Sequence, residues 1–150
     1  MRIHEEWIGN LVTARRAPYE RLLLTLDLMN GALPEAEVRD RETYMKGLIL
    51  PDPDDCHVLA AALAVRAQTI LTVSLRDFPD SALAPHGVAA VHPDGFLCGL
   101  YDADPELLRA STEAAHANLN RSAPSFTDYL DALEQQGLPQ LVKRLRRGLA

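Results

Sequence analysis

Only two cysteines, Cys56 and Cys98, occur in the 150 residues, and they form neither a C-x-x-C pair nor a zinc-ligand spacing. A disulfide framework is excluded, and a reducing compartment fits. Aromatic residues make up only 5%. No apolar run approaches membrane-spanning length, and the N-terminus, MRIHEEWIGN, places His4, Glu5 and Glu6 where a signal peptide needs an apolar core. The sequence is therefore expected to be cytoplasmic, with no membrane partner. Positive charge is in deficit, 15 Lys and Arg against 21 Asp and Glu, which disfavours broad sequence-independent nucleic-acid binding. The charges are nevertheless segregated. Acids cluster at Asp52, Asp54 and Asp55, and bases at Arg15, Arg16 and Arg21 and again at Lys143, Arg144, Arg146 and Arg147.

What is present is 47% hydrophobic and 24% charged, a composition and length that suit one domain with a core of its own. Ile3, Trp7 and Leu11 share one helical stripe and predict a helix from about residue 3 to Arg16, ended by Pro18. Leu22, Leu23, Leu26 and Met29 predict a second over 19–30, broken by Asn30-Gly31 and Pro34. Between Pro34 and Pro51 the pattern suggests a short strand over 36–38 and a helix over 42–48. After the turn Pro51-Asp52-Pro53, an alanine-rich helix runs from Asp54 to about Arg66. Two apolar, β-branched runs follow, 69–73 and 88–91, as expected of parallel strands covered on both faces. This order indicates an α/β fold with a parallel sheet.

Beyond Pro93 the pattern is helical: 96–101, 105–119, then a helix opening at Ser125 with the capping pattern Ser-x-x-Asp. Gly137 closes that helix and Pro139 opens the last. The expected division is a sheet-bearing domain over 1–103 and a helical extension over 104–150, packed on it.

Three carboxylates crowd the start of the alanine-rich helix. Aspartate there is an ordinary cap, and first-turn acids complement the helix dipole. Three of them also repel one another, which a bound cation would relieve. Ser74 and Asp77 follow the carboxyl end of the first strand, the edge where open α/β sheets bind ligands. His57 and Cys56 are adjacent on a helix and point about 100° apart, so they do not converge on one ion; a packed or surface histidine is the simpler reading. Trp7, on the Ile3/Leu11 stripe, reads as a core anchor.

Four blocks, Asp52-Pro-Asp-Asp-Cys-His-Val-Leu-Ala-Ala-Ala62, Ile70-Leu-Thr-Val-Ser-Leu-Arg-Asp-Phe-Pro79, Leu83-Ala-Pro-His-Gly87 and Pro93-Asp-Gly-Phe-Leu97, resemble consecutive blocks of VapC-like PIN-domain proteins. Glu5-Glu6-Trp7 and Met29-Asn30 are similar to that family's upstream pattern, and the helical tail to an extension of one branch. The resemblance implies a PIN-like three-layer α/β fold and a metal-dependent endoribonuclease, often the toxin of a toxin-antitoxin pair, using Mg²⁺ or Mn²⁺. RNA would be its substrate and an antitoxin protein its partner.

By position, Glu6, Asp55 and Asp77 match the catalytic and metal-binding acids, with Asp52, Asp54 and Ser74 as auxiliaries and Glu5 ranked lower. Ser74 stands where the family usually has Asn or Asp. No segment matches the family's N-terminal central strand with its Asp-x-Asn motif. The sequence thus reads as PIN-like with that strand missing, which implies impaired or absent activity and association as a homodimer or higher oligomer. The alternative is a non-catalytic binding module that associates with an antitoxin, a full-length homologue or itself.

Overall fold

The computed structural model describes residues 2–14, 17–38, 40–119 and 124–148. Helix α1 spans Arg2–Thr13 and α2 Tyr19–Ala32. On α1 the buried residue is Ile8, whereas Trp7 and Leu11 are half-buried. The Trp7 indole N–H donates to His4 Nδ1 at 3.1 Å, so its polar edge is satisfied within its own helix rather than in a core. Arg15, Arg16 and the side chain of Ile3 lie outside the described residues. Helix α2 runs through Asn30-Gly31 and stops where Leu33 leaves helical geometry ahead of Pro34. Proline's restriction of the residue before it sets this end, not the Asn-Gly pair.

The strand expected over 36–38 and the helix over 42–48 are absent; 3-10 turns Pro34–Ala36 and Arg41–Tyr44 stand there instead. Asp40 and Gly47 both take left-handed backbone, with φ of 60° and 81°. Too few residues separate them for a run of α-helical hydrogen bonds.

A 3-10 turn, Pro53–Asp55, leads into α3 (Cys56–Ala64). Helix α3 ends two residues earlier than its pattern suggests, because Arg66 adopts φ 56° and two bonds close the end: Arg66 N–H to the Leu63 carbonyl at 3.1 Å and Ala67 N–H to that of Ala62 at 2.8 Å. This is the Schellman arrangement, with arginine where glycine is usual. The reversal delivers the chain into β1 (Thr69–Leu71). A 3-10 turn, Leu75–Asp77, the short α4 (Asp80–Leu83) and Gly87 at φ 70° return it to β2 (Ala89–Val91). The strands are parallel, pairing Thr69 with Ala89, Ile70 with Ala90 and Leu71 with Val91.

Leu50, Cys56, Leu59, Ala62, Ile70, Phe78, Leu83 and Val88 form one core, in which α3 covers the sheet. Both faces of the sheet were expected to be covered. Along β1, however, only Ile70 is buried, and Leu71 and, two residues beyond the strand, Val73 are 50% and 68% exposed. Among the described residues, one face is covered.

Four helices complete the chain: α5 (Pro93–Ala103), α6 (Pro105–Ala117), α7 (Phe126–Gln135) and α8 (Pro139–Arg147). Ser125 caps α7 by accepting the Asp128 N–H, Gly137 takes φ 94° at its end, and Pro139 lies in the first turn of α8, all as read from the sequence. A second core gathers Cys98, Leu130, Leu141, Val142 and Leu145. The buried Asp94 carboxylate joins the ends of this unit, accepting the N–H groups of Gln140 at 3.0 Å and Leu141 at 2.9 Å. It thereby satisfies two of the donors that the start of α8 leaves without partners. The molecule is the mixed α/β fold expected, a PIN-like parallel sheet with a helical extension. No helix among the described residues is long and apolar enough to cross a membrane.

Candidate functional site

The geometry at the start of α3 separates the crowded aspartates by role. Asp52 is the structural one: its Oδ1 accepts the Asp54 N–H at 2.8 Å and caps the 3-10 turn. Asp55 occupies the position before α3 but makes no side-chain capping bond. Its half-buried carboxylate is therefore left to face its neighbours. Asp77 ends the 3-10 turn beyond β1, half-buried, with Arg76 Nε 3.4 Å from its Oδ1. Ser74 also follows β1; its N–H donates to Thr72 Oγ1 at 3.1 Å, which shapes the turn.

The fold brings the three acids into one electrostatic neighbourhood. Burial first, then the charges of Asp52 and Asp77 and, more weakly, Glu6 raise the Asp55 carboxyl above its ordinary range, while His57 pulls it the other way. Glu6 comes from α1, Asp55 from the start of α3 and Asp77 from beyond β1, so three separate segments meet. Glu5, Glu6, Asn10, Asp54 and Asp55 line an open cavity of about 590 Å³.

Sequence reasoning did not single out Asn10 in this neighbourhood and read His57 only as a packed or surface histidine. Asn10 lies one helical turn beyond Glu6 on α1, a spacing that could have suggested it. His57 is buried, as a packed histidine should be, but its ring is not inert. Nδ1 lies 2.6 Å from the Asp54 carbonyl, a contact in which the ring N–H donates. This leaves Nε2 directed toward Glu6, 3.9 Å from Oε2 and without a hydrogen-bond partner. The argument from adjacent Cys56 ruled out a Cys-His pair and missed that α1 supplies a facing carboxylate.

Carboxylates from three segments and an amide oxygen are the donor types that a hard divalent cation takes while keeping part of its water shell, whereas the His57 ring nitrogen is a softer donor. The mutual repulsion at Asp55 is what such an ion would relieve. Among the described residues, no three His, Cys, Asp or Glu side chains converge closely enough to form a ready coordination shell.

Comparison with known proteins gives two matches. Residues 93–147, the span from the first residue of α5 to the last of α8, match the family model described as VapC50 C-terminal domain. The chain is also similar to the protein named Putative ribonuclease VapC50 of Mycobacterium tuberculosis (strain ATCC 25618 / H37Rv), with 41% identity over 97 residues, 62% of this chain and 54% of that protein. The chain spans about half the length of this curated relative. No solved structure matches it.

Proposed function

We propose, from the premise that the chain is a VapC-like member of the PIN-domain family, that it is a metal-dependent endoribonuclease of the toxin type, its acid site formed by Glu6, Asp55 and Asp77. The observation that carries this reading is the open cavity in which Glu6 of α1 faces Asp54 and Asp55 at the start of α3, with Asp77 near enough to act on the Asp55 carboxyl. A fold that gathers like charge around a half-buried carboxylate sacrifices stability for it, which is the usual mark of a functional site.

Glu6, Asp55 and Asp77 would hold Mg²⁺ or Mn²⁺, with Asp54 and Ser74 at the margin. Bound there, such an ion supplies charge neutralisation at a phosphodiester and lowers the pKa of a bound water. The chain's own contribution is to fix the acids: Asp52 holds the turn ahead of α3, and the Asp54 carbonyl fixes the His57 tautomer so that Nε2 faces Glu6. The substrate is RNA, the regulatory partner an antitoxin protein, and the compartment the cytoplasm. The sheet-bearing part, 1–103, carries the acids and the extension, 104–150, packs against it.

A second reading, a non-catalytic binding module, is favoured by the lack of a ready coordination shell among the described acids. The two part on one experiment. Labelled RNA is incubated with the chain and Mn²⁺ or Mg²⁺, in parallel with Asp55→Asn and Asp77→Asn. Slow cleavage that falls to background in both variants is the expected outcome. Cleavage unchanged in both, or none in any of the three proteins, would remove the acid-site reading.

A further inference from the structure

The four bases of α8 fall into two classes. Arg144 makes a bidentate pair with Asp102, Nε to Oδ1 at 3.0 Å and Nη2 to Oδ2 at 3.2 Å, and Arg146 is held by Asp131 and Glu134. Lys143 and Arg147 have no acidic partner among the described residues, and both are exposed. They lie four residues apart, about 6 Å along the helix axis, on one face. Both line an open cavity of about 520 Å³ together with Gln140, Arg144, Tyr101 and Asp102.

Among the described residues lining this cavity the sole acid, Asp102, is already paired with Arg144, so the charges of Lys143 and Arg147 have no acidic counterpart there. Stabilising the end of α8 would account for bases in its last turn, yet Lys143 lies before that turn. Tyr101 is fixed at the wall, its hydroxyl donating to the Arg144 carbonyl at 3.3 Å and accepting from Arg109 Nη2 at 3.3 Å. On a chain of net charge −6, a pocket with two basic side chains unpaired among the described residues is a local exception to the general field.

We propose that this pocket of the helical extension is a docking subsite for the phosphodiester backbone of single-stranded RNA, Lys143 and Arg147 each meeting a phosphate and Gln140 offering an amide. The spacing of the two cations suits successive phosphates of an extended strand, and the neutral polar wall accepts ribose. The inference rests on the ribonuclease reading, to which it adds how an acidic protein grips its polyanionic substrate away from its own carboxylates.

The test is fluorescence anisotropy of a labelled single-stranded RNA with the full chain in EDTA, so that cleavage plays no part. The double variant Lys143→Ala/Arg147→Ala should bind about tenfold or more weakly and show a salt slope smaller by about 0.7 per contact removed. Arg146→Ala, which removes a paired base, and the charge-conserving Lys143→Arg/Arg147→Lys should bind like the parent. Equal affinity in parent and double variant, equal loss in Arg146→Ala, or no RNA binding by the parent would overturn the proposal. So would binding of a polyglutamate peptide that depends on Lys143 and Arg147 when RNA binding does not. Loss of RNA binding in the double variant, in a chain that never cleaves RNA, would support the subsite and count against the nuclease reading alone.

Discussion

Asp55 shows how one residue's burden predicts its behaviour. Its carboxyl has a folded-state pKa above the ordinary 3.8, from burial, Asp52, Asp77 and Glu6. Between 3.8 and the raised value the folded chain holds more protons at this site than the unfolded chain. The contribution of Asp55 to stability therefore falls as pH rises through that window, and its ionised form remains a cost at neutral pH. Asp55→Asn should accordingly raise Tm at pH 7 while abolishing the metal-dependent cleavage proposed for this site, and the gain should vanish below the ordinary carboxylate range. Thermal melts of both proteins across pH 3–8 check this; an unchanged or lower Tm at neutrality would mean that the neighbouring charges do not press on Asp55. Asp94 is the opposite case, a buried acid whose charge is fully used. Removing it in Asp94→Ala strips two backbone donors of their acceptor and should cost about 2–4 kcal/mol in urea denaturation. Of these residues, the sequence pointed to Glu6, Asp55 and Asp77 through block resemblance and to the aspartate cluster through its crowding. That Asp52 caps and Asp55 does not became visible only in the fold, because both occupy positions that a cap would favour.

At the scale of elements, local chemistry was legible where a single residue type dictates the backbone. Ser125, Gly137 and Pro139 placed the ends of α7 and α8 because a hydroxyl cap, ready access to left-handed backbone and a missing N–H are what those residue types favour. It was illegible where an unusual residue takes such a role. Arg66 in left-handed geometry closes α3, and arginine carries no signal for it. Likewise, the stretch 36–48 holds apolar residues without a period, and Asp40 and Gly47 cut it into turns. The prediction at this level is that Arg66→Gly stabilises the protein by about 1 kcal/mol, since glycine relieves the steric cost that a Cβ meets at positive φ. Calorimetry would show it as a higher Tm with no change in RNA or metal binding.

The whole molecule has two cores, one beneath the sheet and one among α5 to α8, and one sheet face that the described residues leave open. Parallel order and the C-terminal helices were readable from hydrophobic pattern. Which face is covered was not, since a continuous apolar strand such as 69–73 looks the same whether one side or both are packed. We propose that a second copy of the chain covers Leu71 and Val73. Light scattering coupled to size exclusion should then give a dimer or larger species rather than 16.5 kDa, and Leu71→Lys/Val73→Lys should shift it to monomer. A parent that is already a monodisperse monomer would refute this. The Asp94 clamp, finally, ties the locking of the extension to the progress of synthesis. Its acceptor leaves the ribosome 46 residues ahead of the first donor it binds, at Gln140. Until α8 emerges, the nascent helices hold a carboxylate in a forming interior with nothing to bind. The extension can therefore lock only once the chain has been read past Leu141, and any product cut short of that point carries an internal fault that a protease can find.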